Sequence, residues 1–408
     1  GRRGEKMSGH REEHAQGVAA APRAPKARLG MGLVGPGFVG VHHVDAVRRL
    51  GFVDVVAVAD VTEASAASAA AAMHVPTSYG SIEALVANPA IDVIHVTTPN
   101  HLHAPVTRAA IAHGKHVISE KPLAMSAAEA RDLVERAEAA GIVHAVSFNY
   151  RGNPMVQQVR QMVAAGEIGP VHFVHGAYLQ DWLIEDTDYS WRLEPDKGGR
   201  SSAFADIGSH WCDMAQHLVG ARITSVLAEL TTVVKTRLKP AHVQTFGKAD
   251  DPAREAVTIE SEDLATILLR FENGVKGSVN IGQVCAGHKN DFWLEVNGRL
   301  GSLRWRQEDQ NHVWFGSRRT SNRELDKDPS LIGDAARPYV HLPGGHQQGW
   351  SDAFCNVIRD IYRYIASGSD ATKPPAFATF ADGYRAACII DAVLASHDNG
   401  GVWTPVRF

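Results

Sequence analysis

The run Leu29-Gly30-Met31-Gly32-Leu33-Val34-Gly35-Pro36-Gly37-Phe38-Val39-Gly40 is a short apolar strand that breaks into a glycine turn. Beyond it, Val41, Val44, Val47 and Leu50 recur at helical spacing, so the chain reads strand, turn, helix. Three glycines at G-x-G-x-x-G spacing mark only a loop when they stand alone. Here they follow a strand and open a helix, and the next apolar run, VDVVAVAD, ends on Asp60, twenty residues past Gly40. That context predicts a dinucleotide-binding unit. Gly35 permits the tight turn, Gly37 lets a pyrophosphate approach the backbone, and Gly40 allows close helix–strand packing. The helix N-terminus, with Phe38 and Val39, then faces the phosphates. The Asp60 carboxylate suits both hydroxyls of an adenosine ribose and would repel a 2′-phosphate. Because Val61, Thr62, Glu63 and Ala64 supply no countering cation, NAD is expected over NADP.

Apolar strands and helices go on alternating through IDVIHVTTP, KHVIS, SAAEARDLVERAEAAG and IVHAVSF. Ser126 with Glu129 reads as a capping box and Gly141 as a left-handed C-cap. Parallel β-α-β units of this kind predict an α/β domain over residues 28–149 with a doubly wound parallel sheet. Residues 1–27 are polar and rich in Ala, Pro and Gly, and read as a disordered tail. After Asn149 the texture changes to two helices, NPMVQQVRQMVAAGEIG and AFADIGSHWCDMAQHLVG, and several strand-like runs. Asn273-Gly274 reads as a hairpin turn, and Leu238 to Glu260 as a long loop. Residues 150–408 are therefore expected to form an α+β domain with a large, open, mainly antiparallel sheet.

Composition narrows the partners. The chain has 408 residues, 44% of them hydrophobic, and a formal net charge of −4 without a long basic run, so small molecules are expected rather than nucleic acid. No stretch reaches the roughly 20 apolar residues of a membrane span. Cys212, Cys285, Cys355 and Cys388 lie far apart without a C-x-x-C pair, which fits a reducing cytoplasm and neither a zinc ribbon nor a disulfide framework.

Ligands of open α/β sheets bind at the carboxyl ends of the strands. Thr98, Pro99, Asn100 and His103 leave the third strand there and are expected along the central part of a cofactor, with Asn100 also capping the next helix. His101 and His103 lack a carboxylate or cysteine at matching spacing, so no metal is expected. Glu120-Lys121-Pro122 leaves the next strand at the same edge, which places Lys121 over the crevice and Glu120 beside a ribose or the lysine itself. Asp206, His210, Asp213 and His217 are spaced four, three and four apart, on one helix face. Ile207, Trp211, Met214 and Leu218 crowd the neighbouring face, so the helix is buried and its polar stripe needs a reason. A histidine flanked by carboxylates is a credible general base.

Taken in order, the glycine fingerprint, Asp60, TTPNHLH, the E-K-P step, NYRGNP and DIGSHWCD resemble the glucose-fructose oxidoreductase / inositol dehydrogenase / MocA (Gfo/Idh/MocA) family. The similarity runs over nearly the whole chain from about residue 29. It implies a Rossmann domain joined to an α/β domain with an open sheet, tightly bound NAD(P), and oxidation of a sugar, anhydrosugar or cyclitol hydroxyl. It also implies a homo-oligomer, dimer or tetramer, formed through the open sheet. Lys121 matches the family's catalytic lysine, and Asp206 and His210 match its acid and histidine. Pro122 matches a proline that helps to fix the lysine's strand end, a cis bond being one way to do so. On this basis His210 takes the hydroxyl proton, Asp206 orients His210 and binds a neighbouring hydroxyl, and Lys121 polarises the reacting oxygen. Asn149, Trp191 and Arg192 are placed near the cofactor, and Tyr150 and His346, the latter in the GGHQQGWSDAF loop with Trp350, near the substrate. Two alternatives remain open: an NAD-dependent glycosidase that oxidises its substrate transiently, and a non-catalytic dinucleotide-binding regulator.

Overall fold

The five short parallel strands expected from the apolar runs, joined by a sixth at Thr77–Tyr79, form one sheet in the computed structural model, which describes residues 25–242, 253–369 and 372–408. They are β1 (Leu29–Val34), β2 (Val53–Ala59), β3 (Thr77–Tyr79), β4 (Val93–Val96), β5 (His116–Ser119) and β6 (His144–Val146). Between them run α1 (Phe38–Leu50), α2 (Glu63–Met73), α3 (Ile82–Val86), α4 (Asn100–Ala112) and α5 (Ala127–Ala139). The strand order is β3-β2-β1-β4-β5-β6, so the winding reverses between β1 and β4. A crevice opens at such a reversal. β1 is buried along its whole length, which is why it is apolar on both faces.

Register decides what reaches the crevice. Val34 pairs with Ala59 on one side and Val96 on the other, and Val96 pairs with Ser119. The next residues in each segment, Gly35, Asp60, Thr97 and Glu120, therefore leave the sheet along one line. Gly35 has φ of +90°, and a Cβ there would sit 2.8 Å from the Thr98 nitrogen, so the turn accepts only glycine. At Gly40 a Cβ would lie 2.7 Å from the Gly35 carbonyl oxygen, which sets how closely α1 packs on the turn.

The second sheet has nine strands. In chain order, after α6 (Pro154–Ala164), come β7 (Val171–Leu179), the short α7 (Pro195–Gly198), α8 (Ser209–Val219) and β8 (Ile223–Thr231). A two-stranded ribbon of β9 (Thr236–Pro240) and β10 (Arg254–Thr258) precedes β11 (Leu264–Phe271) and β12 (Lys276–Gly282). β13 (Asp291–Gly298), β14 (Gly301–Arg306), β15 (His312–Ser317) and β16 (Arg323–Asp326) follow. The chain closes with α9 (Trp350–Ala366), α10 (Phe380–Asp398) and β17 (Thr404–Pro405). The order is β16-β15-β14-β13-β7-β12-β11-β8-β17, and only the β7–β12 pairing is parallel. Val174, Ile267, Val279 and Leu294 bury one face against Trp211, Met214 and Leu218 of α8. The alternate residues Thr266, Leu268 and Arg270 face outward, so the other face is open. As expected, Asn273-Gly274 turns β11 into β12, with Gly274 at φ +87°.

Two expectations need revision. Most of the expected tail lies outside the described residues, but its last part is tied down, with Lys26 pairing with Asp92 at 2.5 Å. The stretch Leu238–Glu260 is not simply a loop: β9 and β10 pair antiparallel from Thr236↔Thr258 to Pro240↔Arg254, while residues 243–252 lie outside the described ones. A buried cation anchors the ribbon, since Arg237 donates to the carbonyls of Leu183, Glu185 and Asp188 at 2.7–3.0 Å. Two late helices also pack across the division at residue 150. α9 returns to the first sheet, where Phe354, Ile358, Ile361 and Tyr362 share a core with Met31, Leu33, Val44 and Val47. The apolar stripe of α9 needs a partner, and the α1 side of that sheet supplies it.

α10 likewise spans the two sheets, and one imidazole fixes its start. The Phe380 N–H donates to Nδ1 of His144 on β6 at 3.0 Å, which requires an unprotonated Nδ1. Burial lowers the His144 pKa to about 4, against a smaller upward pull from Asp382. The folded value lies below the unfolded one, so this contribution is whole above pH 6.5 and is lost as pH falls toward 4. His144→Asn keeps an acceptor that does not titrate. Urea unfolding across that window is expected to show a pH dependence shallower than wild type by roughly 1.4 kcal/mol per pH unit.

Candidate active site

Between the two sheets lies a cleft of about 1040 Å³ that runs from the glycine turn to the start of α8. Its nucleotide-facing end is built from backbone. Gly37, the N-cap of α1, makes no side-chain cap bond, and no acidic residue occupies the first turn. A Cβ at Gly37 would meet nothing within 4 Å, so the α1 N–H groups can be approached closely from the cleft. Phe38 and Val39 line the mouth, and Asp60 lines the cleft past β2 with Oδ1 accepting the Val61 N–H at 2.8 Å. The cleft-lining atoms Thr98 Oγ1 and Asn149 Nδ2 are buried and have no hydrogen-bond partner within the protein. Buried polar atoms of this kind call for a ligand. A helix start without a side-chain cap, a carboxylate at the second strand and orphaned polar groups together fit a dinucleotide.

Two residues of the strand-end loops work differently from expectation. Pro99, not Asn100, is the N-cap of α4, and the Asn100 amide instead donates to the Gly198 carbonyl at 3.0 Å, bridging to the second domain. The ring nitrogens of His103 lie 2.6 Å from the Pro122 carbonyl oxygen and 2.8 Å from that of Thr98, so this side chain fastens two turns together. His101 does not line the cleft, whereas His103 does. Among the described residues, His312, Glu324 and Asp326 alone bring three ligating atoms within 4.8 Å of one another, on the outer strands β15 and β16.

At the other end the charged residues converge. Lys121 Nζ donates to the Asp206 carbonyl at 2.6 Å and to its Oδ1 at 2.8 Å, and the Lys121–Pro122 peptide is cis. Arg192 Nε donates to the same Oδ1 at 3.2 Å, and Gln283 Nε2 donates to Oδ2 at 2.9 Å. Burial alone would raise the Asp206 pKa, but the charges of Lys121 and Arg192 hold it well below the usual carboxylate range. His210 faces the same cleft, its ring edge-on to Tyr150 at 5.0 Å and Phe148 at 5.7 Å. Burial, then the charge of Lys121, lowers its pKa to about 3, so the imidazole is neutral.

The expected stripe along one helix face is not what forms. Phe204–Gly208 is a π turn, and its wider spacing rotates Asp206 out of line with the rest of α8. Asp206 spends its oxygens on Lys121, Arg192 and Gln283 rather than on orienting His210, which is held by aromatic packing instead. Asp213 pairs with Arg151 and His217 lies against Gln157, both outside the cleft. The π turn itself is held from across the sheet. Glu262 Oε1 accepts from the Ser201 hydroxyl at 2.7 Å and from the Ser202 and Phe204 N–H groups at 3.1 and 2.8 Å.

Tyr150 lies where a substrate contact is expected, its hydroxyl 2.7 Å from that of Tyr178 and accepting from Asn290 Nδ2 at 3.1 Å. Trp191 joins the wall with Arg192 stacked 4.6 Å above it. His346 does not come to the cleft: it is exposed, its loop pinned by Lys327 Nζ donating to the His346 carbonyl at 2.7 Å, and Trp350 is the residue of that loop that lines the wall. The segment Gln180 to Arg192 is a sequence-level candidate for the substrate pocket and Gln180 does line the cleft, but sequence reasoning singled out neither Tyr178 at the end of β7, nor Gln283 after β12, nor Asn290 before β13. They meet because β7 pairs parallel with β12 and antiparallel with β13, and no local pattern announces that pairing.

The comparisons with known proteins agree with this geometry. Residues 29–148 match the family model described as an oxidoreductase family with an NAD-binding Rossmann fold, and residues 156–304 match the GFO/IDH/MocA C-terminal domain. Levoglucosan dehydrogenase of Pseudarthrobacter phenanthrenivorans is 31% identical over 391 residues, 90% of this chain and 96% of that protein. The structure of a levoglucosan dehydrogenase in complex with NADH and L-sorbose superposes with a TM-score of 0.83 at 28% identity, covering 94% of this chain and all of that one. An oxidoreductase domain protein from Kribbella flavida superposes at 0.84 with 32% identity over 94% of this chain. The chain belongs to the Gfo/Idh/MocA family of NAD-binding oxidoreductases, among relatives that include sugar and inositol dehydrogenases.

Proposed function

We propose that the protein is an NAD-dependent dehydrogenase that oxidises a secondary hydroxyl of a sugar, anhydrosugar or cyclitol. The observation that carries this reading is the convergence of Lys121, Asp206 and His210 at the end of the cleft away from the glycine turn, within a wall of aromatic and amide side chains. NAD, when bound, supplies the hydride acceptor, and the chain supplies placement and electrostatics. Lys121 is fixed by Asp206 rather than mobile, so its ammonium is presented in one place to polarise the reacting oxygen. Neutral His210 is in the protonation state needed to accept the hydroxyl proton. Its low basicity means that the neighbouring carboxylate of Asp206 must stabilise the imidazolium as it forms. The amides of Gln180 and Asn290 and the ring of Trp182 suit a hydroxylated ring with apolar C–H faces.

Asp60 supports NAD over NADP, since a 2′-phosphate would meet its carboxylate. In Asp60→Ala, NAD affinity is expected to fall by roughly 10²-fold, with two charge-assisted hydrogen bonds lost, while NADP affinity holds or improves. Titration of each nucleotide against the apoprotein measures both.

The activity test mixes protein and NAD with a panel of sugars, anhydrosugars, glycosides and cyclitols, following NADH absorbance and released sugar together. Stoichiometric NADH with one of these alcohols is expected. Sugar released from glycosides without NADH would sink the dehydrogenase reading in favour of the glycosidase. Lys121→Met and His210→Gln are expected to lower kcat by roughly 10²–10⁴ while NAD still binds. Near-normal turnover in either would remove that residue from its role.

A further inference from the structure

Behind the cleft, four buried titratable side chains from four different elements form one unbroken hydrogen-bonded row. The Tyr362 hydroxyl on α9 lies 2.8 Å from Nε2 of His95 on β4, and His95 Nδ1 lies 2.8 Å from Nδ1 of His43 on α1. His43 Nε2 in turn lies 3.0 Å from Oε1 of Glu120 at the end of β5. His43, His95 and Tyr362 are wholly inaccessible to solvent, while Glu120 reaches the cleft wall beside Lys121. Nothing in the proposed proton transfer uses this row, and a core of this kind is ordinarily built from apolar groups.

Its hydrogen bonds have a direction. Burial alone would raise the Glu120 pKa, yet the His43 hydrogen bond and charge, with Lys121 and Ser147, bring it to about 2. An ionised carboxylate only accepts, so His43 Nε2 carries the donated proton. Burial lowers the His95 pKa well below its usual value, so His95 carries one ring N–H; placed on Nδ1 it donates to His43 Nδ1, and the Tyr362 hydroxyl donates to His95 Nε2. Every member then gives or receives once, and all the dipoles point toward Glu120. Its other oxygen, Oε2, accepts the Lys121 backbone N–H at 3.3 Å, so the carboxylate is held from both sides.

We infer that the Tyr362–His95–His43 row is a positioning device that keeps Glu120 as a fixed anion in the cleft wall, where it favours the cationic oxidised nicotinamide over the neutral reduced one. The inference rests on the reading of the cleft as a nicotinamide-cofactor site, and adds to it a bias between the two redox forms. Glu120 is the member that faces the cofactor; His43, His95 and Tyr362 act through it.

The test is the ratio of the two dissociation constants, for NAD and for NADH, measured by titration calorimetry without substrate. Glu120→Gln keeps the shape and removes the charge, and is expected to weaken NAD relative to NADH by about tenfold. His43→Phe removes the donor and is expected to move the ratio the same way by roughly threefold or more. His43→Gln restores an N–H near the Nε2 position and is expected to bring the ratio back. Tyr362→Phe, which deletes one oxygen, covers the case in which a His43 variant does not fold, and is expected to give a smaller shift of the same sign. If Glu120→Gln or Tyr362→Phe weakens both nucleotides in equal proportion, the row is packing only and the inference is overturned. The ratio needs no turnover. A protein that shows the shift but oxidises no alcohol would defeat the dehydrogenase reading and leave the charge assignment standing.

Discussion

The ion pair between Lys121 and Asp206 joins the two halves of this protein at the place where its chemistry is proposed. Each side chain is nearly withdrawn from solvent, with 12% and 14% of its surface accessible, so the pair gives up hydration that its attraction alone does not return. The surroundings make up the difference. Arg192 and Gln283 satisfy the remaining carboxylate lone pairs, and the Asp206 carbonyl takes a further proton of the ammonium. Removing either partner would leave the other as an unpaired buried charge, which costs more than the intact pair contributes. The π turn, its anchor on Glu262 and the register of β4 and β5 can all be understood as geometry that brings these two groups within 2.8 Å.

A second carboxylate flanks the same lysine. Glu120 and Asp206 lie on either side of Lys121 and both are ionised, yet they are kept so by different means. Asp206 is held by cations, whereas Glu120 is held largely by an imidazole whose own partner is another imidazole. Between them His210 stays neutral, because burial and the lysine outweigh the two anions. The cleft thus separates the group proposed to receive a proton from two that stay ionised. Three ionisable residues at one strand end and one turn would otherwise titrate together.

Much of this was legible in the sequence, for physical reasons. The glycine turn, Asp60, the loop after β4 and the E-K-P step sit at strand ends whose order follows from parallel crossovers, so linear position predicts spatial position. Asp206 and His210 were legible as polar residues on a buried helix, though the stripe that was to join them to Asp213 and His217 does not form. What was not legible depends on pairing across long separations. Gln180, Gln283 and Asn290 meet only through the β7–β12 and β7–β13 ladders, and Arg237 finds its carbonyls only once the ribbon folds over residues 183–188. The π turn is a half-step departure from a regular helix. Periodicity reads Phe204–Val219 as one element because the residues on both sides of Gly208 are equally helical in character. His346 failed for a related reason: a loop can lie near a cleft while one lysine, here Lys327, turns a given residue away from it.

The two ends of the cleft are built on opposite principles, and the difference bears on how it discriminates. At the nucleotide end the donors belong to backbone or are orphaned side chains, such as Thr98 Oγ1 and Asn149 Nδ2, so a ligand gains bonds there without breaking any. At the far end Tyr150, Tyr178 and Asn290 already satisfy one another at 2.6–3.1 Å. A sugar hydroxyl entering there must replace a bond that exists, and the exchange is favourable only where its donors and acceptors match the ones displaced. A site of this kind adds little affinity for a mismatched ring and penalises a missing hydroxyl by leaving a buried group unpaired. On the proposed reading, affinity resides chiefly with the cofactor end, and choice among hydroxylated rings with the Tyr150–Tyr178–Asn290 triangle. The triangle's members come from the turn after β6, the end of β7 and the loop before β13, three segments that no single change in one element can reposition together.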